Sequence, residues 1–256
     1  MMTQLIYDGT LGGLLTVIFE AYERRLEQVR ILKTGTAHPD IFGTSLLIIS
    51  DPVKAARVWK GLKEKLSASA LHQFYSCYLS ELPQIEDTLL AFTRHVFASK
   101  QNSEKDFGHE ATLTLSKVGR MVHREKHRME AFVRFQRWAD DIYFAIVAPD
   151  YNVLPLIAPH FKNRYGDQRW IIYDQRRKYG IHYDPETGKV SEIELELTEN
   201  PLAPSAEVLH AEEKNYQMLW QDYFSHVNIA ARKNKKLHLR HVPMRYWKHL
   251  TEKQPG

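Results

Sequence analysis

The amino-acid sequence predicts an α+β fold with a mostly helical N-terminal part, a central antiparallel sheet and C-terminal helices. Three patterns lead to this class. Apolar residues recur at helical spacing in the first part of the chain, short apolar runs bounded by turn residues follow in the middle, and prolines precede a last helical stretch. Such a succession of elements is typical of α+β proteins.

The N-terminal part is predicted to begin with one strand and to continue as helices. Residues 4–7 form the predicted strand, and Thr10 can cap the helix that follows. The pair Asp51-Pro52 favours a helix start, because aspartate accepts hydrogen bonds from backbone N–H groups and proline tolerates the first helical position. Two further helices are predicted over residues 69–82 and 85–98.

The central sheet follows a helix predicted over residues 116–129. Runs over residues 132–138 and 142–148 flank a polar turn and predict a β-hairpin. A helix then precedes three more strands, and prolines separate the sheet from the C-terminal helices. These later elements are predicted at residues 154–165, 170–173, 181–183, 190–197, 206–232 and 243–250.

The pattern also predicts how the chain divides. Hydrophobic residues make up 43% of the 256 residues, enough for a substantial core. The prediction is a mainly helical subdomain over residues 1–100, a polar connection over residues 101–115, and an α+β core with a basic C-terminal segment over residues 116–256.

The residue types exclude several kinds of site. The only cysteine is Cys77, so the chain cannot form an internal disulfide or a multi-cysteine metal or iron–sulfur site. Its apolar surroundings favour a packed thiol over a nucleophile. His123 and His127 are four residues apart, but Arg124 and Lys126 beside them repel a cation. We therefore expect no metal or other cofactor in this chain.

The location is predicted from what the sequence lacks. No stretch approaches the ~20 apolar residues that a membrane-spanning helix needs. The N-terminus has neither the basic start nor the apolar core of a secretory signal. We expect a cytoplasmic protein with no membrane partner.

The basic residues concentrate in two clusters of the second half of the chain, although the net charge is only +4. Arginine and lysine can neutralise phosphates, and aromatic rings between them can stack on unpaired bases, so the mixture predicts nucleic-acid binding. A solvated positive surface over core aromatic residues is the alternative. The candidate contacts are Arg134, Arg164, Trp170, Arg176 and Arg177 in the first cluster, and Arg232, Lys233, Asn234, Arg245, Tyr246 and Trp247 in the second.

A catalytic site is a different possibility. His160 could act as an acid or base, and Asp174 could orient Arg176 or Arg177 to hold a phosphate, if these side chains meet in one pocket. A histidine packed near the core and a simple salt bridge in a turn explain the same residues without catalysis. The sequence does not decide between these explanations.

Several stretches together resemble a bacterial family described as DNA-metabolism or DNA-repair proteins of unknown activity. The resemblance covers nearly the whole chain and is specific as a set. Its main stretches are Tyr7-Asp-Gly9, Phe19-Glu-Ala-Tyr22, His127-Arg-Met129, Phe132-Val-Arg-Phe135, Pro149-Asp150, Leu154-Pro-Leu156, Pro159-His-Phe161, Trp170-Ile-Ile-Tyr-Asp174, Arg176-Arg177 and Pro243-Met-Arg-Tyr-Trp247.

This resemblance implies DNA as the context of the protein. Members of the family are typically encoded beside a radical-SAM protein thought to act on DNA, and some relatives are fused to a uracil-DNA-glycosylase-like domain. The resemblance implies that any iron–sulfur cluster and SAM belong to that partner. It supplies no catalytic residues.

Three hypotheses follow for the function. The first is a DNA-binding partner of a radical-SAM enzyme that contributes little or no catalysis of its own. The second is a nucleic-acid-processing enzyme that uses His160, Asp174 and the arginines beside it. The third is an assembly subunit that docks Tyr246 and Trp247 on another protein.

Overall fold

A computed structural model of the chain describes residues 2–35, 44–99, 103–195, 209–210, 212–227 and 239–253. It confirms the predicted α+β class. The chain forms two compact units, Met1–His123 and Arg124–Gly256. The predicted division at residues 101–115 stays a prediction. Within the described ranges, no helix is long and apolar enough to cross a membrane.

The first unit contains a three-stranded parallel sheet that the sequence predicted only in part. Strand β1 (Thr3–Tyr7) lies between β2 (Val29–Lys33) and β3 (Thr44–Leu47). Leu5 pairs in register with Ile31 on one side and with Leu46 on the other. Only β1 was predicted, because β2 and β3 are short and alternate weakly between buried and exposed residues.

The turn after β1 is fixed by a close approach of the backbone. Thr10 caps helix α1 (Leu11–Glu23) by accepting a hydrogen bond from the Gly13 N–H at 2.9 Å, as predicted. The Asp8 carboxylate accepts hydrogen bonds from the Thr10 N–H at 2.9 Å and from the Ser50 hydroxyl at 2.6 Å. A Cβ at Gly13 would lie 2.2 Å from Asp8 Oδ1, so only glycine fits there.

Three helices pack the rest of the first unit: α2 (Pro52–Lys65), α3 (Ala68–Tyr78) and α4 (Ile85–Ala98). Asp51 caps α2 as predicted, since it accepts hydrogen bonds from the N–H groups of Val53 and Lys54. Cys77 is fully buried on α3, and burial raises the pKa of its thiol to about 12. A packed core cysteine, not a nucleophile, was the favoured interpretation, and it is confirmed.

Helix α5 (Glu110–Phe132) carries a buried stripe with one unexpected member. It begins six residues before the predicted start at residue 116. Val118, Val122 and Met129 are buried at helical spacing. Glu125 lies on the same stripe and is also buried.

The sheet of the second unit has five strands in the order β4-β5-β6-β7-β8. Helix α6 (Leu154–Arg164) connects β5 to β6, as predicted. The core of the unit includes Phe144, Ile172 and Ile181 on neighbouring strands. The strands are β4 (Gln136–Arg137), β5 (Tyr143–Val147), β6 (Trp170–Asp174), β7 (Tyr179–Asp184) and β8 (Lys189–Glu194).

Two details of the predicted sheet are wrong. The sheet is mixed, because β5 and β6 pair in parallel and the other neighbours are antiparallel. A helical crossover between two adjacent strands returns the chain to the same end, so the strands it joins run parallel. The predicted hairpin at residues 132–148 is real but shorter, because α5 continues through Phe132 and leaves only two residues for β4.

The C-terminal elements are helix α7 (Glu213–Val227) and two 3₁₀ segments, Met244–His249 and Thr251–Lys253. The predicted helix start at residue 206 is wrong, because Leu209 forms a β-bridge with Trp138 and α7 begins at Glu213. The predicted helix end at residue 232 lies outside the described residues. The short helix predicted after Pro243 is confirmed as a 3₁₀ helix.

Candidate nucleic-acid interface

A cavity of about 830 Å³ opens in the second unit, beside β4 and β5 at one edge of the five-stranded sheet. This volume lies within the ~300–1,000 Å³ that ligand sites usually occupy. Its wall combines the C-terminal ends of α5 and α6, the start of β4 and β5, and one face of α7. The side chains that line it include Arg134, Phe135, Arg137, Phe161, Arg164, Tyr165, Gln168, Glu213, Tyr216, Gln217 and Trp220.

The floor of the cavity is aromatic. The ring of Phe135 meets Phe161 and Tyr165 edge to face, with centroids 5.7 and 5.5 Å apart. Tyr165 follows the last residue of α6, one helical turn beyond Phe161, and the two rings are nearly parallel, at an angle of 10°. Because each ring packs on another, the floor is rigid and apolar.

The lip of the cavity is formed by two aromatic residues of α7. Tyr216 and Trp220 are four residues apart and so lie on one helical face. They keep 56% and 40% of their surface exposed. The Trp220 indole donates a hydrogen bond to the Glu252 carboxylate at 3.0 Å, and the Arg134 guanidinium lies 5.5 Å from its ring centroid. Trp220 is therefore held in position while part of its surface remains accessible.

Three arginines line the cavity, and they differ in what they contact. Arg134 forms a bidentate pair with Glu252 at 2.8 and 3.3 Å, and Arg137 pairs with Asp141 at 2.7 Å. Arg164 lies over the ring of its neighbour Tyr165 at 5.6 Å and pairs with no carboxylate among the described residues. Its exposed guanidinium is the one available to an anion in the cavity wall that the structure describes.

Two amide side chains add polar groups to the cavity wall. Gln217 donates a hydrogen bond to Glu213 at 3.0 Å, and the same carboxylate accepts one from the Arg137 backbone N–H. The Gln168 side chain makes no hydrogen bond with any residue that the structure describes. An amide offers both a donor and an acceptor, so it can meet either kind of group on a ligand.

A second polar cluster lies at the carboxyl ends of β5 and β6, which meet at one edge because the strands are parallel. Asp174 is buried and accepts hydrogen bonds from the backbone N–H groups of Arg176 and Arg177. The Arg177 guanidinium binds Asp174 at 2.8 Å and the carbonyl of Pro149 at 3.2 Å. Arg176 binds the Asp150 carboxylate at 3.0 Å.

The same cluster holds the C-terminal segment through Glu125. The Tyr246 hydroxyl donates to the Glu125 carboxylate, with oxygen separations of 2.7 and 2.6 Å, and burial raises the pKa of this tyrosine. The Asp150 N–H donates to the same carboxylate at 2.9 Å. Arg245 contacts both Glu125 at 3.2 Å and Asp150 at 2.6 Å. The two predicted basic clusters thus share Asp150 and are connected through it.

The predicted catalytic residues are only partly brought together. Asp174, Arg176 and Arg177 meet, but His160 packs edge-on against Phe161, whose ring lies 6.2 Å from Trp170 at the start of β6. Asp174 is at the other end of that strand, four residues and roughly 13 Å from Trp170 at ~3.3 Å per residue. His160 therefore lies near the start of β6 and Asp174 at its end, and this placement does not support one pocket that contains both.

Several predicted DNA contacts are also placed differently than expected. Trp170 is fully buried between Phe161 and Tyr183, so it cannot stack on a base. Tyr246 is buried too, so it can dock on neither DNA nor another protein. The Trp247 indole donates to the Val242 carbonyl at 3.0 Å. Arg232, Lys233 and Asn234 lie outside the described residues.

Sequence reasoning missed three residues that define these sites. Tyr216 and Trp220 carried a signal, since they lie four residues apart on a predicted helix beside Met218 and Leu219. Glu125 carried one as well, because it follows Val122 by three residues on an apolar stripe. A buried carboxylate needs hydrogen-bond donors, and the tyrosine that supplies one, Tyr246, is far from Glu125 in the sequence.

Comparisons with known proteins identify the family without a function. Residues 83–252 match the model of a domain of unknown function, DUF4130. No curated protein matches the chain. A solved structure described as a DHH domain from a member of a family of ribosomal proteins matches with a TM-score of 0.30 and 9% identity, over 71% of this chain and 73% of that chain. That likeness supports no inference. Because the family match spans more than half of its length, the chain belongs to the DUF4130 family.

Proposed function

We propose that this protein binds nucleic acid in DNA metabolism or repair, and that it does so at the aromatic and basic cavity of its second unit. The observation that carries the proposal is the meeting of Arg164 with the exposed rings of Tyr216 and Trp220 in one concave site. Arginine suits phosphate, and exposed aromatic faces suit bases.

The proposed binding site is the cavity around Arg164, and not the whole set of basic residues in the second half of the chain. Arg134, Arg176, Arg177 and Arg245 contact carboxylates of the protein itself, so a phosphate would have to compete with those partners. Arg164 has no such competitor among the described residues. The cavity is therefore the site where nucleic acid gains most from binding.

The proposed partner is a radical-SAM enzyme, and this part rests on the family resemblance alone. A chain with one cysteine, Cys77, cannot ligate an iron–sulfur cluster by itself. In the proposed complex the partner holds the cluster and SAM, and this protein holds the DNA. Copurification of the two proteins from a co-expressing cell, with and without nuclease, tests the association.

Charge reversal at Arg164 tests DNA binding at the cavity. We expect Arg164→Glu to weaken binding of a single-stranded oligonucleotide about tenfold and to reduce the salt slope of log Kd by about one, since one phosphate contact is lost. Fluorescence anisotropy over a range of salt concentrations measures both quantities.

The matched control is Lys189→Glu. Lys189 is exposed on β8, at the opposite edge of the sheet from β4, so this variant changes the total charge equally but leaves the cavity intact. We expect its binding to stay within about twofold of the unmodified protein. Equal effects of the two variants would mean that binding depends on total charge and not on the cavity.

A second candidate function is assembly with another protein, which the outer face of α7 favours. Met218 and Leu219 are both more than half exposed there. Exposed apolar residues on one helix are typical of contact surfaces. If partner binding persists after nuclease treatment and is lost in Leu219→Asp, this face contacts protein.

A further inference from the structure

We propose that the cavity holds one unpaired nucleotide, with its base between the aromatic floor and the α7 lip and its phosphate at Arg164. This inference rests on the proposed function, since it names the part of the nucleic acid that the site takes. The shape of the cavity, its rings and its polar groups each favour such a ligand.

The shape favours a single nucleotide over a duplex. The site is a single concavity of about 830 Å³. A base inside a duplex is stacked on both faces and paired at its edge, so it cannot enter such a site without leaving the helix. A nucleotide in a single strand or a bulge has no pairing partner, so it leaves its neighbours at a lower cost. The cavity therefore selects unpaired nucleotides by exclusion.

Aromatic rings line the cavity from two separate parts of the chain. Phe135 and Tyr165 form the floor, and their edge-to-face contact at 5.5 Å keeps them in place. Tyr216 lines the same cavity from α7 and is more than half exposed. Stacking on such faces is tolerant of base identity, because every base has a π-face.

The polar groups suit the remaining parts of a nucleotide. Arg164 belongs to the last turn of α6, next to Tyr165, so it can reach a phosphate attached to a base on that ring. The Gln168 amide has no partner among the residues described and can pair with a base edge. Glu213 already accepts hydrogen bonds from Gln217 and the Arg137 backbone, which reduces its repulsion of a nearby phosphate.

The test compares three ligands and three variants. The ligands are a fully paired duplex, the same duplex with one unpaired adenosine, and free dAMP, which separates a nucleotide in a strand from a free one. The variants are Tyr216→Ala, Tyr216→Phe and Met218→Ala. Met218 is an exposed residue two positions along α7 that does not line the cavity, so it is the matched control.

We expect the bulged duplex to bind at least about tenfold more tightly than the paired one, and Tyr216→Ala to remove about tenfold of that affinity. Tyr216→Phe keeps a ring for stacking and should bind normally, as should Met218→Ala. If only dAMP binds and Tyr216→Ala weakens it, the nucleotide site stands and the proposed DNA function fails.

Other outcomes overturn the inference. Equal binding of both duplexes, with Tyr216→Ala no weaker than Met218→Ala, would leave DNA binding intact and remove the unpaired nucleotide from the cavity. Absence of binding to all three ligands would contradict the inference, and absence of binding to the single-stranded oligonucleotide as well would contradict the proposed function.

Discussion

At the scale of single residues, the most telling feature is the buried carboxylate of Glu125. An ionised carboxylate costs several kcal/mol to bury unless hydrogen bonds replace its water. Here the Tyr246 hydroxyl, the Asp150 N–H and Arg245 supply those bonds. Glu125 therefore attaches the C-terminal 3₁₀ segment to the second unit.

This attachment leads to a stability prediction for Tyr246→Phe. The substitution removes the hydroxyl donor and leaves the Glu125 carboxylate with fewer partners, so we expect the free energy of unfolding to fall by about 2 kcal/mol. Urea denaturation followed by circular dichroism measures the change. Tyr216→Phe removes an exposed hydroxyl and should cost less than about 0.5 kcal/mol. Equal stability of the two variants would show that the bond to Glu125 contributes nothing.

The sequence shows which residues are basic. It does not predict which of their side chains are left without a carboxylate partner and can bind a phosphate. Arg134 and its partner Glu252 are 118 positions apart, so no local pattern indicates their pairing. The same holds for Arg245 and Glu125, at a separation of 120. Arg164 was predicted with the others, and only the fold distinguishes it from them.

At the scale of elements, the last 3₁₀ segment, Thr251–Lys253, is bound to Arg134 by an ion pair and to α7 by a hydrogen bond from Trp220. The Glu252 side chain is only 4% exposed. Burial alone would raise the pKa of its carboxyl, but hydrogen bonds from Arg134 and Trp220 outweigh this effect and lower the pKa below its usual value of 4.5. The folded state therefore binds a proton less readily than the unfolded state does.

We expect Glu252 to stabilise the protein fully above pH 4.5, where the carboxyl is ionised in both states. The contribution should be lost as the pH falls through the lower pKa of the folded state. Glu252→Gln should thus reduce the free energy of unfolding by about 2 kcal/mol at neutral pH and by much less in acid. Urea titrations of both proteins across this range check the prediction.

Glu186 provides the control for this pH dependence. Its side chain is 82% exposed and lies 3.6 Å from Arg169. We expect Glu186→Gln to change stability by less than about 0.5 kcal/mol at any pH. A difference between Glu252→Gln and the unmodified protein that does not shrink in acid would contradict the account of the ion pair.

Elements that depend on local sequence were predicted better than elements that depend on pairing. The caps Thr10 and Asp51 and the helix α6 are local features, and each is confirmed. Strands β2 and β3 were missed because their partner β1 is distant in sequence and they are short. The parallel pairing of β5 with β6 was missed although the helix between them indicates it.

At the scale of the whole molecule, the candidate site is assembled from separate parts of the second unit. Arg164 ends α6, Tyr216 stands on α7, and Phe135 precedes β4. The sequence predicted Arg164 and Trp170 among the contacts of the first basic cluster, but Trp170 is buried, and the α7 rings were not predicted. Only the fold shows that these residues lie in one site, because no sequence motif contains them together.

Photocrosslinking tests the central claim, that nucleic acid lies in this cavity, most directly. An oligonucleotide with a single unpaired 5-iodouracil crosslinks under irradiation to the aromatic residue on which the base lies. We predict crosslinks at Tyr216, Trp220 or Tyr165, identified by mass spectrometry of the digested complex, and their loss at high salt because phosphate contacts weaken. Crosslinks confined to residues outside the cavity, under conditions where the strand is bound, would contradict the account.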